Sequence, residues 1–286
     1  MKLIHSVAEL RAEVRALRSA GRSVGLVPTM GNLHAGHASL VRYARGLVDA
    51  VVATVFVNPL QFGPNEDFAR YPRTLDVDAQ LLEAEGTGIL FAPAVEEVYP
   101  NGYPPVTTVR VAGPLTEPLE GEFRPGHFEG VATIVNILFN LVQPDVAIFG
   151  EKDYQQLQVI RRMASDLGLP IRIEGAPTLR AADGLALSSR NQYLTGDERA
   201  HAARLYAALQ VAAEALRSGR RDFEAIGAEQ LAALAGQGFR PQYLVIRKPD
   251  LALPTGEVRH FRVLAAAWMG ATRLIDNIQV DIDAGR

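Results

Sequence analysis

Short apolar runs alternate with stretches of helical periodicity over the first 177 residues. Serine and glutamate at positions 6 and 9 begin a first amphipathic helix, which Gly21 ends. The apolar runs that follow are SVGLV (23–27), AVVATVFV (50–57), GILFA (88–92), DVAIF (145–149) and IRIE (171–174), and helical patterns lie between them at about 36–48, 74–85, 127–142 and 153–167. Runs that are apolar throughout are typical of strands covered on both faces. Strands that alternate with helices predict an α/β fold with a Rossmann-like, doubly wound parallel sheet.

The pattern changes after Pro177. Helical periodicity over 197–219 and 223–236 precedes three strand-like pieces, QYLVIR, FRVLAAAWM and TRLIDNIQV. Helices followed by strands predict a smaller α+β domain, so we expect domains at 1–177 and 178–286.

The segment 93–126 is rich in proline and glycine, with one strand-like piece, TTVRV, and we interpret it as an irregular insertion packed on the sheet. Arg273 and Asp276 in TRLIDN suggest a structural ion pair or an interdomain contact.

Composition excludes several classes of protein. The chain has 286 residues, of which 48% are hydrophobic and 21% are charged, an ordinary globular balance. Its net charge of −3 makes nucleic acid an unexpected partner. Cysteine is absent, which removes disulfides, thiolate nucleophiles and cysteine metal sites. The sequence contains neither a signal-peptide apolar region nor an 18-residue apolar stretch, so we expect a cytoplasmic protein that does not span a membrane.

Polar side chains follow three of the predicted strands. PTMGNLHAGH follows the first run, NPLQFGPNEDF the second and GEKDYQQ the fourth. In an open parallel sheet, ligands bind beyond the carboxyl ends of the strands. These loops should therefore meet at one edge of the sheet and form a binding site.

His34 and His37 are the most informative pair in these loops. Gly31 permits a tight turn, and a helix beginning near Gly36 would offer N–H groups and partial positive charge to a phosphate. Three other interpretations stay open: a metal site, acid–base chemistry, and a purely structural pair. A metal site would need further ligands. Structural alternatives also exist for GEKDYQQ as a solvated helix start, for LSSRN as a cap or turn, and for NPLQF as a turn with a satisfied asparagine.

The motif HAGH resembles the HxGH signature of the class I nucleotidyltransferase superfamily. The longer form PTMGxLHxGH resembles the pantothenate synthetase (pantoate–β-alanine ligase) family, as do NPLQFGPNEDFARYPRT, GHFEGVATIVNILFNLVQPDVAIFGEKDYQQLQVIRRM, LALSSRNQYL and TRLIDNI. These blocks run in order from 28 to 278, so the resemblance covers nearly the whole chain. One departure is Leu187, where the family usually has methionine, and this swap conserves volume.

The resemblance implies ATP-dependent condensation of pantoate with β-alanine through a pantoyl adenylate, with release of AMP and pyrophosphate. It implies ATP as substrate, Mg²⁺ with the ATP phosphates rather than at a fixed protein site, a homodimer, and a C-terminal domain that acts as a lid over the nucleotide- and pantoate-binding domain. Other HxGH adenylyltransferases, and a regulator that has lost activity, are the rival hypotheses.

The resemblance also implies roles for individual residues. His37, His34 and Lys152 are the expected catalytic residues. Pantoate is expected at Gln61 and Gln156, and β-alanine at Gln61 and Asn58. Arg124 is a further candidate for the β-alanine carboxylate or the phosphates. The expected ATP-binding residues are Pro28, Thr29, Met30, Gly31, Asn32, Leu33, His34, Ala35, Gly36, His37, Gly150, Glu151, Lys152, Asp153, Leu179, Leu187, Ser188, Ser189 and Arg190.

Overall fold

The structure, a computed structural model, describes residues 1–63, 68–104, 106–255 and 257–282. The chain divides into two compact units. The first comprises Met1–Gly150 and Gln155–Pro177, and the second comprises Glu151–Tyr154 and Thr178–Arg286. The four residues Glu151–Tyr154 therefore belong with the C-terminal unit, although they lie within the predicted N-terminal domain. Residues 64–67 of the NPLQFGPNEDF block lie outside the described residues.

The first unit is an α/β structure whose elements alternate along the chain. Its strands are β1 (Lys2–Ile4), β2 (Val24–Thr29), β3 (Ala50–Val55), β4 (Ile89–Phe91), β5 (Val146–Gly150) and β6 (Arg172–Ala176). Its helices are α1 (Val7–Ser19), α2 (Ala35–Arg45), α3 (Leu75–Ala84), α4 (Val95–Val98), α5 (Glu120–Phe123), α6 (His127–Val142) and α7 (Tyr154–Asp166), the last of which begins in the second unit. Short 3₁₀ turns lie at Pro59–Gln61 and Phe68–Arg70, and a further one, at Glu151–Asp153, belongs to the second unit.

The six strands form one parallel sheet in the order β1-β4-β3-β2-β5-β6. The predicted parallel α/β fold is confirmed, and the five predicted strands lie within about two residues of their predicted ends. The sequence does not predict strand β1, because three residues are too few to show a period. Strand β2 is central, between β3 and β5, so the loops that follow these three strands start from neighbouring positions at one edge.

The predicted strand-like piece at 107–111 is wrong. Within the described part of this segment, residues 106–112 form no strand, and the backbone N–H of Val109 donates to the Thr133 hydroxyl of α6 at 2.9 Å. A side chain thus satisfies a donor that a neighbouring strand would otherwise bind. The insertion instead contributes the short helices α4 and α5.

The second unit packs helices on an antiparallel sheet. Its elements are a 3₁₀ turn at Ser189–Tyr193, α8 (Gly196–Ala202), α9 (Arg204–Arg217), α10 (Phe223–Ala235), β7 (Phe239–Arg247), β8 (His260–Met269) and β9 (Thr272–Asp281), with strand order β7-β8-β9. The smaller α+β unit is as predicted. The single helix predicted over 197–219 is wrong in detail, because the chain breaks at Ala203 into α8 and α9.

Of the two alternatives for Arg273 and Asp276, an ion pair between them is wrong. Asp276 instead accepts two hydrogen bonds from Arg180, at 2.6 and 2.9 Å, while Arg273 Nε donates to Gln242 Oε1 at 2.6 Å. Residues 273 and 276 lie three apart on β9, so their side chains leave opposite faces of the strand. Burial raises the pKa of Asp276, and the Arg180 guanidinium opposes that shift.

None of the helices in the described part of the chain is both long and apolar enough to cross a membrane.

Candidate active site

A buried carboxylate holds the loop that follows β2. Asp78 lies in α3 and is 1% exposed, and its two carboxylate oxygens accept hydrogen bonds from the backbone N–H groups of Asn32 and Leu33 at 2.9 and 2.8 Å. Gly31 has a φ of +83°, and a Cβ there would lie 3.0 Å from the same carboxylate. The glycine is therefore required for both its backbone conformation and its space. This loop brings the chain sharply from the sheet into α2.

His34 and His37 cap the N-terminus of α2 with one nitrogen each. Nδ1 of His34 accepts a hydrogen bond from the backbone N–H of Gly36 at 3.0 Å, and Nδ1 of His37 accepts one from the backbone N–H of His34 at 3.3 Å. The two rings lie 4.2 Å apart at an angle of 49°. The two histidines thus form a reciprocal capping box, in which imidazoles occupy the positions usually taken by serine or threonine and glutamate.

This capping fixes the tautomer of both rings. A backbone N–H only donates, so each Nδ1 must be an unprotonated acceptor, and the proton of the neutral ring must lie on Nε2. Both half-buried imidazoles therefore present an Nε2–H donor beside the positively polarised end of α2. The structural and the phosphate-binding interpretations are compatible, because they use different nitrogens of the same ring.

The loop after β3 places two predicted residues in one buried network. Asn58 caps the 3₁₀ turn at Pro59–Gln61 and is 1% exposed, while Gln61 is 8% exposed. Asn58 Nδ2 donates to Gln61 Oε1 at 3.1 Å, and Gln61 Nε2 lies 3.0 Å from the sulfur of Met30. The loops after β2 and β3 therefore meet, as the sequence predicts for neighbouring parallel strands.

A buried histidine holds the backbone of Gln61. His127, at the start of α6, contacts the Gln61 carbonyl oxygen through Nδ1 at 3.0 Å and Arg124 Nη1 through Nε2 at 3.0 Å. Arginine only donates and a carbonyl only accepts. His127 therefore carries its proton on Nδ1 and accepts from Arg124 on Nε2.

The adjacent glutamines of α7 differ in burial. Gln155 is 4% exposed, and it accepts from the backbone N–H of Glu120 and donates to the carbonyls of Leu115 and Pro118. It therefore ties the end of the 93–126 insertion to the helix. Gln156, the predicted pantoate residue, is half-buried in the same first unit.

In the second unit, β9 holds the turn that carries Lys152. Asn277 Nδ2 donates to the carbonyls of Glu151 and Lys152, both at 2.9 Å, and Asn277 Oδ1 accepts from Arg262 Nη1 at 2.9 Å. The Arg262 guanidinium lies 3.8 Å from the centre of the Tyr154 ring. The Lys152 ammonium lies 3.6 Å from Asp153 Oδ1. These contacts explain why Glu151–Tyr154 groups with the C-terminal unit.

The other predicted residues of this unit lie in a tight hairpin. Leu187 donates its backbone N–H to the Leu179 carbonyl at 3.0 Å, next to a bridge between Arg180 and Ala186. Ser188 caps the following 3₁₀ turn by accepting from the backbone N–H of Arg190 at 3.3 Å. Strand β9 also packs against this turn, so one strand contacts both predicted phosphate-binding segments of the second unit.

Sequence reasoning missed the residues that hold the site. One sequence signal could have indicated that Asp78 is buried: it lies on the face of α3 that also carries buried Leu82 four residues later. For Asn277, the only sequence signal is its position in the TRLIDN block. Among the residues that the structure describes, no group of three histidine, aspartate or glutamate side chains converges in a way that could hold a metal ion.

Comparisons with known proteins decide the family. The family model for pantoate–β-alanine ligase matches residues 2–279. The chain belongs to the pantoate–β-alanine ligase family. It is therefore a ligase that forms an amide bond, as the sequence resemblance implies.

Members of this family match the chain over almost its whole length. The chain is 55% identical to a pantothenate synthetase of Pseudomonas fluorescens, over 99% of each protein. The crystal structure of pantothenate synthetase from Thermus thermophilus is 50% identical, with a TM-score of 0.88 over 97% of this chain and 99% of that one. The ligase from Francisella tularensis, solved with β-γ ATP and β-alanine, is 33% identical, with a TM-score of 0.81 over 97% of each chain.

Proposed function

We propose that this protein condenses pantoate with β-alanine through a pantoyl-adenylate intermediate. The pantoate carboxylate attacks the α-phosphorus of ATP, which forms pantoyl adenylate and releases pyrophosphate. The amine of β-alanine then attacks the acyl carbon, so that pantothenate forms and AMP leaves. The observation that carries this proposal is the pair of imidazoles whose Nδ1 atoms cap the N-terminus of α2, an arrangement that puts the proton of each neutral ring on Nε2.

The chemistry requires positioning and charge stabilisation rather than an enzyme nucleophile. A carboxylate has too poor a leaving group for direct amidation, and adenylation supplies a better one. Donors aimed at a phosphoryl group in the transition state then lower the barrier, each by about 3–4 kcal/mol by analogy with oxyanion-hole donors. A chain without cysteine agrees with such a mechanism.

His37 and His34 donate from Nε2 to the oxygens of the α-phosphate, and His37 is the more important of the two. The loop from Pro28 to Leu33 and the first residues of α2, Ala35 and Gly36, form the rest of this part of the ATP site. Gly31 gives the loop its tight turn, because its φ is positive and a Cβ there would lie 3.0 Å from the Asp78 carboxylate. Asp78 supports the loop from behind.

Lys152 contributes an ammonium to the α-phosphate and the pantoate carboxylate. Ser188, Ser189 and Arg190 hold the β- and γ-phosphates, Asp153 binds the ribose with help from Gly150 and Glu151, and Leu179 and Leu187 contact the adenine. Mg²⁺ bound to the phosphates of ATP would supply positive charge to the pyrophosphate leaving group. The sequence resemblance supports these roles, and the cap at Ser188 and the hairpin at Leu179 are consistent with them.

Gln61 and Gln156 bind pantoate, and Gln61 also contributes to the β-alanine subsite. Asn58 is buried with its amide bonded to protein groups, so its part in the β-alanine subsite is to orient Gln61.

The protein further acts as a homodimer in the cytoplasm, with the C-terminal domain as a lid. Light scattering after gel filtration tests the homodimer, and a mass of about 31 kDa for the particle would contradict it.

One assay separates the two chemical steps. Purified protein with ATP, pantoate, β-alanine and Mg²⁺ should form AMP and pantothenate in equal amounts. Without β-alanine, it should exchange labelled pyrophosphate into ATP only when pantoate is present, because adenylate formation is reversible. Pantothenate formation without this exchange would contradict the adenylate intermediate, and exchange that does not need pantoate would favour another adenylyltransferase.

A further inference from the structure

Asn58 uses every hydrogen-bonding position of its amide within the protein. Oδ1 accepts from the backbone N–H of Leu60 at 3.2 Å and from the Tyr99 hydroxyl at 2.7 Å. Nδ2 donates to the carbonyl of Gly130 at 3.1 Å and to Gln61 Oε1 at 3.1 Å. With two acceptor positions and two hydrogens bonded, this side chain has reached its full capacity.

Two backbone groups identify which atom of this amide is the oxygen and which is the nitrogen. The N–H of Leu60 can only donate, so the atom that faces it must be the oxygen of Asn58. The carbonyl of Gly130 can only accept, so the atom that faces it must be the nitrogen. The same logic extends to the neighbours: the Tyr99 hydroxyl must donate to Oδ1, and the atom of Gln61 that faces Nδ2 must be Oε1.

The amide of Gln61 is therefore oriented with its NH₂ group away from Asn58. The nearest partner of Nε2 is the sulfur of Met30 at 3.0 Å, and a thioether is a weak acceptor. An oxygen lone pair of a ligand would be a better acceptor than this sulfur. Gln61 thus offers N–H donors to an anionic carboxylate or a hydroxyl oxygen, while its side-chain oxygen accepts from Asn58.

We propose that Tyr99 is a positioning residue for the pantoate subsite, which acts through Asn58 to set the donor orientation of Gln61. This proposal rests on the proposed function, in which Gln61 binds pantoate. Tyr99 is 3% exposed, and its ring packs between Phe56 and Tyr103, with ring centres 6.1 and 5.8 Å away. The ring is held in place by this packing, so the hydroxyl is directed at Asn58 Oδ1.

The environment of Tyr99 keeps its hydroxyl protonated. Burial raises the pKa of the Tyr99 phenol well above its ordinary value, and Tyr103 adds to this shift. The group therefore stays a donor over the whole pH range in which the protein would work. A donor is what Asn58 Oδ1 requires at this position.

The substitution Tyr99→Phe removes the hydroxyl and leaves the ring. Asn58 Oδ1 then loses one of its two donors, so the arrangement in which Asn58 holds the oxygen of Gln61 is stabilised less strongly than in the wild type. We expect pantoate to bind about 3- to 10-fold more weakly by calorimetry, while the Kd of ATP changes less than about twofold. Tyr103→Phe is the matched control, because it removes the hydroxyl of a neighbouring tyrosine that is itself exposed, and it should leave both affinities unchanged.

A double-mutant cycle separates positioning from a general effect on stability. If Tyr99 acts through Gln61, Tyr99→Phe should weaken pantoate binding in the wild-type background but have no further effect in Gln61→Ala. Additive effects of the two substitutions would overturn the proposal, as would unchanged pantoate binding by Tyr99→Phe or an equal loss of ATP binding. Calorimetry needs no turnover, so a wild-type protein that binds pantoate but forms no AMP would contradict the proposed function alone.

Discussion

At the scale of single residues, each ring nitrogen of His34 has its own role. Nδ1 caps α2, and the proposed function assigns phosphate binding to Nε2. The substitution His34→Asn keeps a side chain that can accept from the backbone of Gly36 but removes the distal donor. We expect its free energy of unfolding to stay within about 0.5 kcal/mol of wild type, while pyrophosphate exchange falls by about 10²- to 10³-fold.

The alanine variant provides the comparison. His34→Ala should lose the same exchange activity and also about 1 kcal/mol of stability, because Gly36 loses its capping acceptor. Chemical denaturation measures the free energy of unfolding of both variants. Equal stability losses for His34→Asn and His34→Ala would show that the cap is not what distinguishes them, and full activity of His34→Asn would remove Nε2 from the mechanism.

The two glutamines of α7 make a second prediction at this scale. Gln156→Ala should raise the pantoate KM by about tenfold or more with little change in the ATP KM, because it removes a proposed pantoate donor. Gln155→Ala should instead lower the free energy of unfolding by about 3 kcal/mol, since it removes a buried partner of three backbone groups. Steady-state kinetics measures the KM values, and urea denaturation measures the free energies of unfolding. A raised pantoate KM in Gln155→Ala together with a loss of stability in Gln156→Ala would contradict these roles.

Sequence alone indicates the residues to which the proposed function gives a ligand better than it indicates the residues that support them. His34, His37 and Gln61 lie shortly after strands, in the connection or the first helical turn that follows, where polar side chains are not needed for the turn itself. Asp78 and Asn277 lie inside regular elements distant in sequence from the loops they hold, and no local pattern connects a carboxylate in α3 to N–H groups some 45 positions earlier. Which of two adjacent glutamines is buried also depends on the helix packing, which the sequence does not specify locally.

At the scale of elements, the contact of α6 with the 3₁₀ turn at Pro59–Gln61 depends on Gly130. A Cβ at this position would lie 2.3 Å from the carbonyl oxygen of Leu60 and 2.7 Å from the Cα of Gln61. Both clashes are with backbone, so a side-chain movement cannot relieve them. Gly130→Ala should therefore cost about 2 kcal/mol or more of stability and weaken pantoate binding, because the turn that carries Gln61 must shift.

Gly196→Ala is the matched control for Gly130→Ala. Nothing lies within 4 Å of a Cβ added at this first residue of α8. Alanine there should be neutral or slightly stabilising, since it reduces the entropy of the unfolded chain. Calorimetric melting of both variants measures the contrast, and a Gly130→Ala protein as stable as Gly196→Ala would contradict the close packing of the turn on α6.

The elements themselves are predictable where their patterns are long. Five strands of the parallel sheet and the helices between them follow from the alternation of apolar runs with helical periods. The three residues of β1 and the four of α4 and α5 are too short to show a period. The sequence at 107–111 has the composition of a strand, yet the partner of Val109 is a threonine hydroxyl, and local propensity does not encode such a tertiary contact.

At the scale of the whole molecule, Asn277 determines which unit carries Lys152. Its amide donates to two carbonyls of the Glu151–Asp153 turn. Asn277→Asp would replace this donor with an acceptor that faces two other acceptors. We expect kcat to fall about tenfold or more, with a smaller change in the pantoate KM, because the turn that presents Lys152 loses its anchor.

Gln279→Ala, two residues further along β9, is the control for Asn277→Asp. Gln279 contacts Arg262 and Asp281 rather than the turn, so its loss should leave kcat within about twofold. Single-turnover assays of adenylate formation compare the two variants. An Asn277→Asp protein with normal kcat would show that the position of Lys152 does not depend on β9.

The sequence predicts a change of architecture near Pro177, and the structure divides there, but the sequence does not show that four residues of the first 177 belong elsewhere. Their assignment comes from hydrogen bonds to a strand more than a hundred positions away. Periodicity indicates which face of an element is apolar, and it contains no information about the partner of a polar turn.

This assignment of Glu151–Tyr154 has a practical meaning for hybrid enzymes. A chimera that exchanges only 178–286 between two family members would place a Lys152 turn from one parent on a β9 strand from the other. Such a hybrid keeps both hydrophobic cores native and yet mismatches the contacts between Asn277, Arg262 and the turn. A graft that transfers 151–154 together with the C-terminal segment would inherit these contacts from a single parent, so it is the safer junction for recombination.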